Sequence, residues 1–135
     1  VYVRDTGLLH SLLGIPFSKK ALLVHPKAGA SFESFCIEQI LLHAHLHDPG
    51  AQGFFFRTHT GQEIDLVLRL RGVLVPVEIK LGLAPPDTRG LEACMRNLWL
   101  TKGYVISLSA RRVEIRPGIW MCGLRHLLQQ RRLTP

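Results

Sequence analysis

An aspartate, a glutamate and a lysine fall on the two arms of one hairpin in this chain, a set of groups suited to holding a divalent cation beside a phosphate. The first arm runs Gln62-Glu63-Ile64-Asp65-Leu66-Val67-Leu68-Arg69-Leu70, and the second runs Val73-Leu74-Val75-Pro76-Val77-Glu78-Ile79-Lys80-Leu81. Arg71-Gly72 lies between them. Both arms are rich in β-branched and aliphatic residues, and a glycine stands where a tight turn needs one, which predicts two antiparallel strands. With Arg71 and Gly72 as the loop, Leu70 pairs with Val73 and Asp65 falls directly opposite Glu78. Side chains so opposed have Cβ atoms roughly 5 Å apart, and like charges there are destabilising unless a cation compensates. Alternation puts Glu78 and Lys80 on one face and turns Ile79 into the apolar layer. Magnesium takes hard oxygen ligands, one or two carboxylates plus waters and phosphate, so Asp65 and Glu78 meet the minimum for Mg2+ or Mn2+ and the Ile79 carbonyl could add a third oxygen. Lys80 would orient or help deprotonate an attacking water and stabilise charge on the phosphate. A plainer reading stays open, an ordinary sheet face on which Glu63 pairs with Lys80 and Asp65 faces nothing special.

The elements that must position these groups follow from periodicity. Asp5-Thr6-Gly7 offers a helix cap before the apolar turn over 8–13, and Gly14-Ile15-Pro16 stops it. A basic helix-and-loop stretch covers 19–29, and the strongest helix runs over 31–47 with Ser31 as its cap and Asp48-Pro49-Gly50 behind it. At about 100° per residue, Phe32, Cys36, Ile37, Ile40, Leu41 and Ala44 form one apolar arc with Glu33 inside it. A carboxylate in that arc needs a partner, since burying it alone costs several kcal/mol by order of magnitude. The hairpin's polar face is the expected partner layer, which would join Glu33 to Asp65, Glu78 and Lys80. Strands are expected over 53–58, 63–70, 73–81 and 104–108, a second helix over 88–100, short strands over 113–116 and 119–121, and a terminal helix over 124–131.

Composition narrows the class. A chain of 135 residues with 47% hydrophobic content suits one domain with a real core and leaves no room for a second. No apolar run is long enough to span a membrane and no signal-peptide layout opens the chain, so a cytoplasmic protein without a membrane partner is expected. Cys36, Cys94 and Cys122 are odd in number and set among apolar residues, which points to reduced core thiols. A net charge of +7 favours a polyanionic partner, usually nucleic acid. The chain opens on Val1 without an initiator Met and reads as the excised end of something longer.

The order helix, three antiparallel strands, helix, strand, with Asp65, twelve residues and then Glu78-Ile79-Lys80, resembles the PD-(D/E)xK nuclease superfamily. The segments Tyr2 to Gly7, Gly14-Ile15, Gly29-Ala30-Ser31-Phe32-Glu33-Ser34-Phe35, Phe56-Arg57-Thr58, Gly61-Gln62-Glu63-Ile64-Asp65 and Pro76-Val77-Glu78-Ile79-Lys80 look more closely like the C-terminal domain of prokaryotic AAA-type ATPases, the domain of unknown function 4143 family. That resemblance implies an α/β, restriction-endonuclease-like core, a mixed β-sheet with an antiparallel hairpin flanked by helices. It divides the single domain 1–135 into a junction segment (1–30), a nuclease-like core (31–108) and C-terminal strands and helix (109–135), with the ATPase module absent. It implies catalytic roles for Glu33, Asp65, Glu78 and Lys80, a metal on Asp65, Glu78 and Ile79, and Mg-dependent DNA cleavage or a nuclease-derived DNA-binding module. Its partners would be DNA and an N-terminal ATPase module of the same protein, with oligomerisation left open. The alternative is a regulatory or assembly domain with a vestigial acidic cluster. No G-x-x-x-x-G-K-[ST] loop is present, so no ATP hydrolysis is expected of this chain. No Pro precedes Asp65, and the second helix offers Arg89 and Arg96 where the superfamily pattern has Gln or Lys.

Arg57 and His59, at a strand end, are further candidates for phosphate contact. His43 and His47 lie one helical turn apart, but no third metal ligand is evident. Trp99 and Trp120 are expected as core or interface anchors rather than stacking platforms.

Overall fold

Arg71 and Gly72 both adopt positive φ, +50° and +80°, the pairing that a two-residue type I′ hairpin loop requires. The computed structural model describes residues 5–16, 18–59, 61–82 and 86–129. In chain order the described elements are α1 (Thr6–Leu12), α2 (Lys19–Val24), α3 (Ala28–His47), β1 (Gln52–Arg57), β2 (Glu63–Leu70), β3 (Val73–Ile79), α4 (Arg89–Asn97), β4 (Gly103–Ser107), β5 (Val113–Arg116), β6 (Ile119–Gly123) and α5 (Leu124–Leu128). The strands make one six-stranded sheet in the order β1-β2-β3-β4-β6-β5. β1, β2 and β3 form an antiparallel meander, β4 joins β3 in parallel, β6 joins β4 in parallel, and β5 returns antiparallel at the far edge. Parallel neighbours need a crossover, and α4 supplies it between β3 and β4.

Helices cover both faces of the sheet. On one face, Cys36, Ile37, Ile40 and Ala44 of α3 pack with Leu66, Leu68, Leu70, Val75, Val77, Ile79, Tyr104 and Ile106, and Leu127 of α5 closes the cluster. On the other, Leu91, Cys94 and Met95 of α4 pack with Ile64, Val67, Val105, Ile119 and Met121. The mixed α/β architecture and the element order match the sequence reading. One layer differs from it: α3 lies on the hairpin's apolar face rather than its polar face, because the side chains of Val77 and Ile79 and of Leu66 and Leu68 are the ones that need covering.

The helix itself begins earlier than expected. Lys27 is its N-cap with no side-chain bond, and Ser31 is a buried residue inside the first turn whose Oγ lies 2.5 Å from Nε2 of His10 on α1. The boundary at residue 31 therefore cuts through α3. Asp5 does cap α1, accepting from the Leu8 N–H at 2.9 Å. Cys36, Cys94 and Cys122 are free and buried, and burial pushes their thiols up to about 12, 11 and 11. The expected helical residues 130 and 131 lie outside the described residues. No helix among the described residues is long and apolar enough to cross a membrane.

Candidate functional site

The hairpin ladder keeps the register expected from its loop, from Leu70 opposite Val73 to Leu66 opposite Val77. One more step brings Asp65 to Glu78, and there the strands are joined differently. The Asp65 carboxylate reaches across and its Oδ2 accepts the Ile79 N–H at 2.6 Å, so a side chain takes the place of a ladder bond. A local irregularity in β2 makes this reach available. Phe54 pairs with Val67 but Phe56 with Ile64, so β2 carries one more residue than β1 across this stretch. Such a bulge re-aims side chains. Its effect shows in the core: Ile64 packs on the α4 face and Leu66 on the α3 face, although two residues apart on a regular strand they would share one face. Asp65 stands at the switch between them.

Glu78 lies between Val77 and Ile79, which both point into the α3 cluster, and is only 8% exposed. Its Oε1 is 2.5 Å from Lys80 Nζ, while its Oε2 is buried without a hydrogen-bond partner. Burying a carboxylate oxygen with nothing to satisfy it is costly. Lys80 follows β3, is tied by its own N–H to the Ile106 carbonyl at 2.8 Å, and extends an exposed ammonium. Glu33, half-buried on α3, feels Asp65, Lys80 and Glu63 electrostatically. The expected foursome is therefore electrostatically coupled, with Glu33 arriving from the helix.

All three carboxyls are held above their ordinary range. For Glu33 the cause is burial, then the Asp65 charge. For Asp65 it is burial, which outweighs the Ile79 N–H bond and the Lys80 charge. For Glu78 it is burial, reinforced by Asp65 and Glu33 and only partly offset by Lys80. For Lys80, burial disfavours the charge, but the Glu78 hydrogen bond and the Glu78, Asp65 and Glu33 charges prevail and raise its pKa. The surrounding carboxylates thus favour the charged, hydrogen-bond-donating form of Lys80. One ammonium cannot neutralise three carboxylates, and the orphaned Glu78 oxygen is the atom most in need of a cation. Among the described residues no three His, Cys, Asp or Glu side chains are grouped to hold an ion jointly. Carboxylates such as those of Asp65 and Glu78 are hard oxygen donors, the kind a water-retaining ion such as Mg2+ takes.

The remaining expected residues lie around this cluster and beyond it. Arg57 lies across from Glu63 on the neighbouring strand and pairs with it at 3.1 Å. The sheet-face alternative is therefore not the one formed: Glu63 takes Arg57, and Lys80 takes Glu78. His59 is exposed beyond the end of β1. Arg89 forks onto Asp87, with both side chains exposed. Arg96 lines a separate cavity, along α4 from these carboxylates, and none of the four coupled residues lines that cavity. His43 and His47 meet ring edge to face at 4.6 Å. Trp120 is partly buried in the core under Arg112, but Trp99 is 92% exposed and anchors no core. Neither the β2 bulge nor the exposure of Trp99 has a residue-level signal in the sequence.

A family model for a domain of unknown function, DUF4143, matches residues 28–127. The chain belongs to the DUF4143 family. The matched span opens at the first residue of α3 and includes Glu33, Asp65, Glu78 and Lys80. The DUF4143 domain is 39% identical over 106 residues to Uncharacterized protein Rv2008c of Mycobacterium tuberculosis and, to the same extent, to Uncharacterized protein Mb2031c of Mycobacterium bovis. The match covers 78% of this chain and 23% of each relative, so the chain spans under a quarter of the length of the curated relatives it matches.

Proposed function

We propose that this DUF4143 domain is a metal-dependent phosphodiesterase of the restriction-endonuclease-like type, acting on DNA with Mg2+ or Mn2+. The observation that carries the reading is the buried, unpartnered Oε2 of Glu78, beside a carboxylate anchored to the next residue's backbone and a lysine held in its charged form. Asp65 and Glu78 would hold a divalent ion, which would supply positive charge to a phosphoryl oxygen and acidify water. Asp65 is fixed by the Ile79 N–H, so its orientation is set before any ligand arrives. Lys80 donates hydrogen bonds to the phosphate and stabilises the charge that develops there. Glu33, half-buried on α3 and within electrostatic reach of Asp65 and Lys80, would hold a metal-bound water.

The net charge of +7 supports a polyanionic substrate, and the short share of each relative that the chain matches is compatible with its being one domain of a longer protein. A second reading, a regulatory or assembly domain, draws support from the Glu78–Lys80 ion pair, which partly neutralises the cluster without any metal. Incubation of the chain with duplex, branched and single-stranded DNA in Mg2+ and Mn2+ separates the two. Cleavage that EDTA stops is expected. Its absence on every substrate, with and without the ATPase portion of a longer chain, would favour the assembly reading.

A further inference from the structure

At the opposite end of α4 from Arg89, the helix closes in a Schellman turn: the Leu100 N–H reaches the Met95 carbonyl at 2.8 Å and the Trp99 N–H reaches the Arg96 carbonyl at 3.3 Å. The residue after the cap in this motif adopts left-handed backbone, and glycine is the usual occupant because a side chain there is strained. Here it is Trp99, with φ +55°. Nothing in the fold repays that strain, since the indole is 92% exposed and outside both core clusters. Strained, exposed residues of this kind concentrate at ligand sites.

The indole borders an open cavity of about 830 Å3 whose apolar lining includes Met95, Leu100, Pro117 and Ile119, and whose polar lining is Arg96, Arg116, Glu92 and Thr101. Glu92 accepts from the Thr88 hydroxyl at 2.7 Å through Oε1. An aromatic face, two guanidinium groups and one carboxylate acceptor are the complement of a single unstacked nucleotide. The ring stacks on the base, the arginines meet phosphate, and a carboxylate accepts from an exocyclic amine.

We infer that the Trp99 cavity binds an unstacked base of single-stranded nucleic acid, outside the acidic cluster. The inference rests on the proposal that the domain acts on nucleic acid, and names the form of that substrate. The spacing suits it. Gly90, at the start of α4, lies so close to the Glu63 carbonyl that an added Cβ would stand 3.0 Å from it, which puts that end of the helix beside the strand bearing Asp65. From there to Trp99 is roughly 13 Å at 1.5 Å per residue, three to four base steps of a stacked strand.

Titration of a dye-labelled eight-nucleotide single strand and the matching duplex with the chain, read by anisotropy for every variant and by tryptophan quenching for wild type, without divalent ions, tests this. The single strand should quench wild type, and Trp99→Gly, which suits the left-handed backbone and so keeps the fold, should bind on the order of tenfold or more weakly, the loss of one stacked base. Trp99→Phe should recover most of the affinity, and Arg96→Ala with Arg116→Ala should lose it. If cleavage fails but this pattern holds, the nuclease reading falls and the base site stands. Single-strand binding in Trp99→Gly equal to wild type would overturn the base site and leave the nuclease reading intact. An indole untouched by either oligonucleotide but shielded within a longer parent chain would overturn it in favour of a protein contact.

Discussion

The acidic mouth between β2 and β3 and the turn that closes α4 both hold the folded chain above its lowest free energy, by different physics. At the mouth the cost is electrostatic: Glu33, Asp65 and Glu78 are all pushed toward their neutral forms by burial and by one another. At the turn it is conformational, a bulky aromatic in left-handed backbone. The first cost changes with pH and would be relieved by a cation. The second does neither. Sites that bind charged ligands commonly carry such unrelieved costs, because the groups that meet the ligand are not optimised for the empty fold.

The contrast breaks most visibly in activity. Asp65→Asn, Glu78→Gln and Lys80→Ala should each lower Mg2+-dependent cleavage by about a hundredfold or more, the usual effect of removing a group that stabilises charge in the transition state. Trp99→Gly should reduce cleavage of single strands mainly at subsaturating substrate. A Glu78→Gln protein that cuts like wild type would refute the assigned roles.

The pH dependence of stability sharpens the comparison. A carboxyl whose pKa rises on folding binds its proton more tightly in the folded state, so stability falls as pH climbs from its ordinary value, 3.8 for Asp65 and 4.5 for Glu33 and Glu78, through the raised one. His43, lowered by burial and by His47, tilts the opposite way near neutrality. Asp48 and Asp87 are shifted down, the former by backbone hydrogen bonds and the latter to about 2 by Arg89, and act only at more acidic pH. All three are common to wild type and Glu78→Gln and cancel in the difference. In EDTA, Glu78→Gln should therefore melt above wild type at pH 7.5, with the gap narrowing at pH 5. The smallest expected effect is at the turn. Trp99→Gly should stabilise the domain by about 1 kcal/mol or less at either pH, as relief of left-handed strain outweighs the added freedom of the unfolded chain.

How far the sequence carried differs between the same two regions. The hairpin was legible because its determinants are local: a two-residue loop fixes register, and Leu70 to Val73 through Leu66 to Val77 pair as counted from Arg71-Gly72. Glu33 was legible from helical phase. The side of the sheet that α3 covers was not, since the amphipathic pattern of one helix does not say which sheet face it meets, and the cluster forms around the β2 bulge instead. The ion pairs that Arg57 makes with Glu63 and Arg89 with Asp87 were not legible, because pair formation at exposed positions leaves no pattern in the sequence. Of the two places expected for Trp99, core or interface, its exposure excludes the core, and a Schellman turn without glycine gives no warning of itself.

The most direct test of the central claim is a calorimetric titration of Mn2+ into the chain at pH 7.5, run in two buffers of different ionisation enthalpy. If Asp65 and Glu78 hold the ion, wild type should bind it at one site and release protons as the raised carboxyls ionise, and Asp65→Asn and Glu78→Gln should each abolish that binding. Wild type that takes up no Mn2+, or Glu78→Gln that binds it as tightly, would contradict the account.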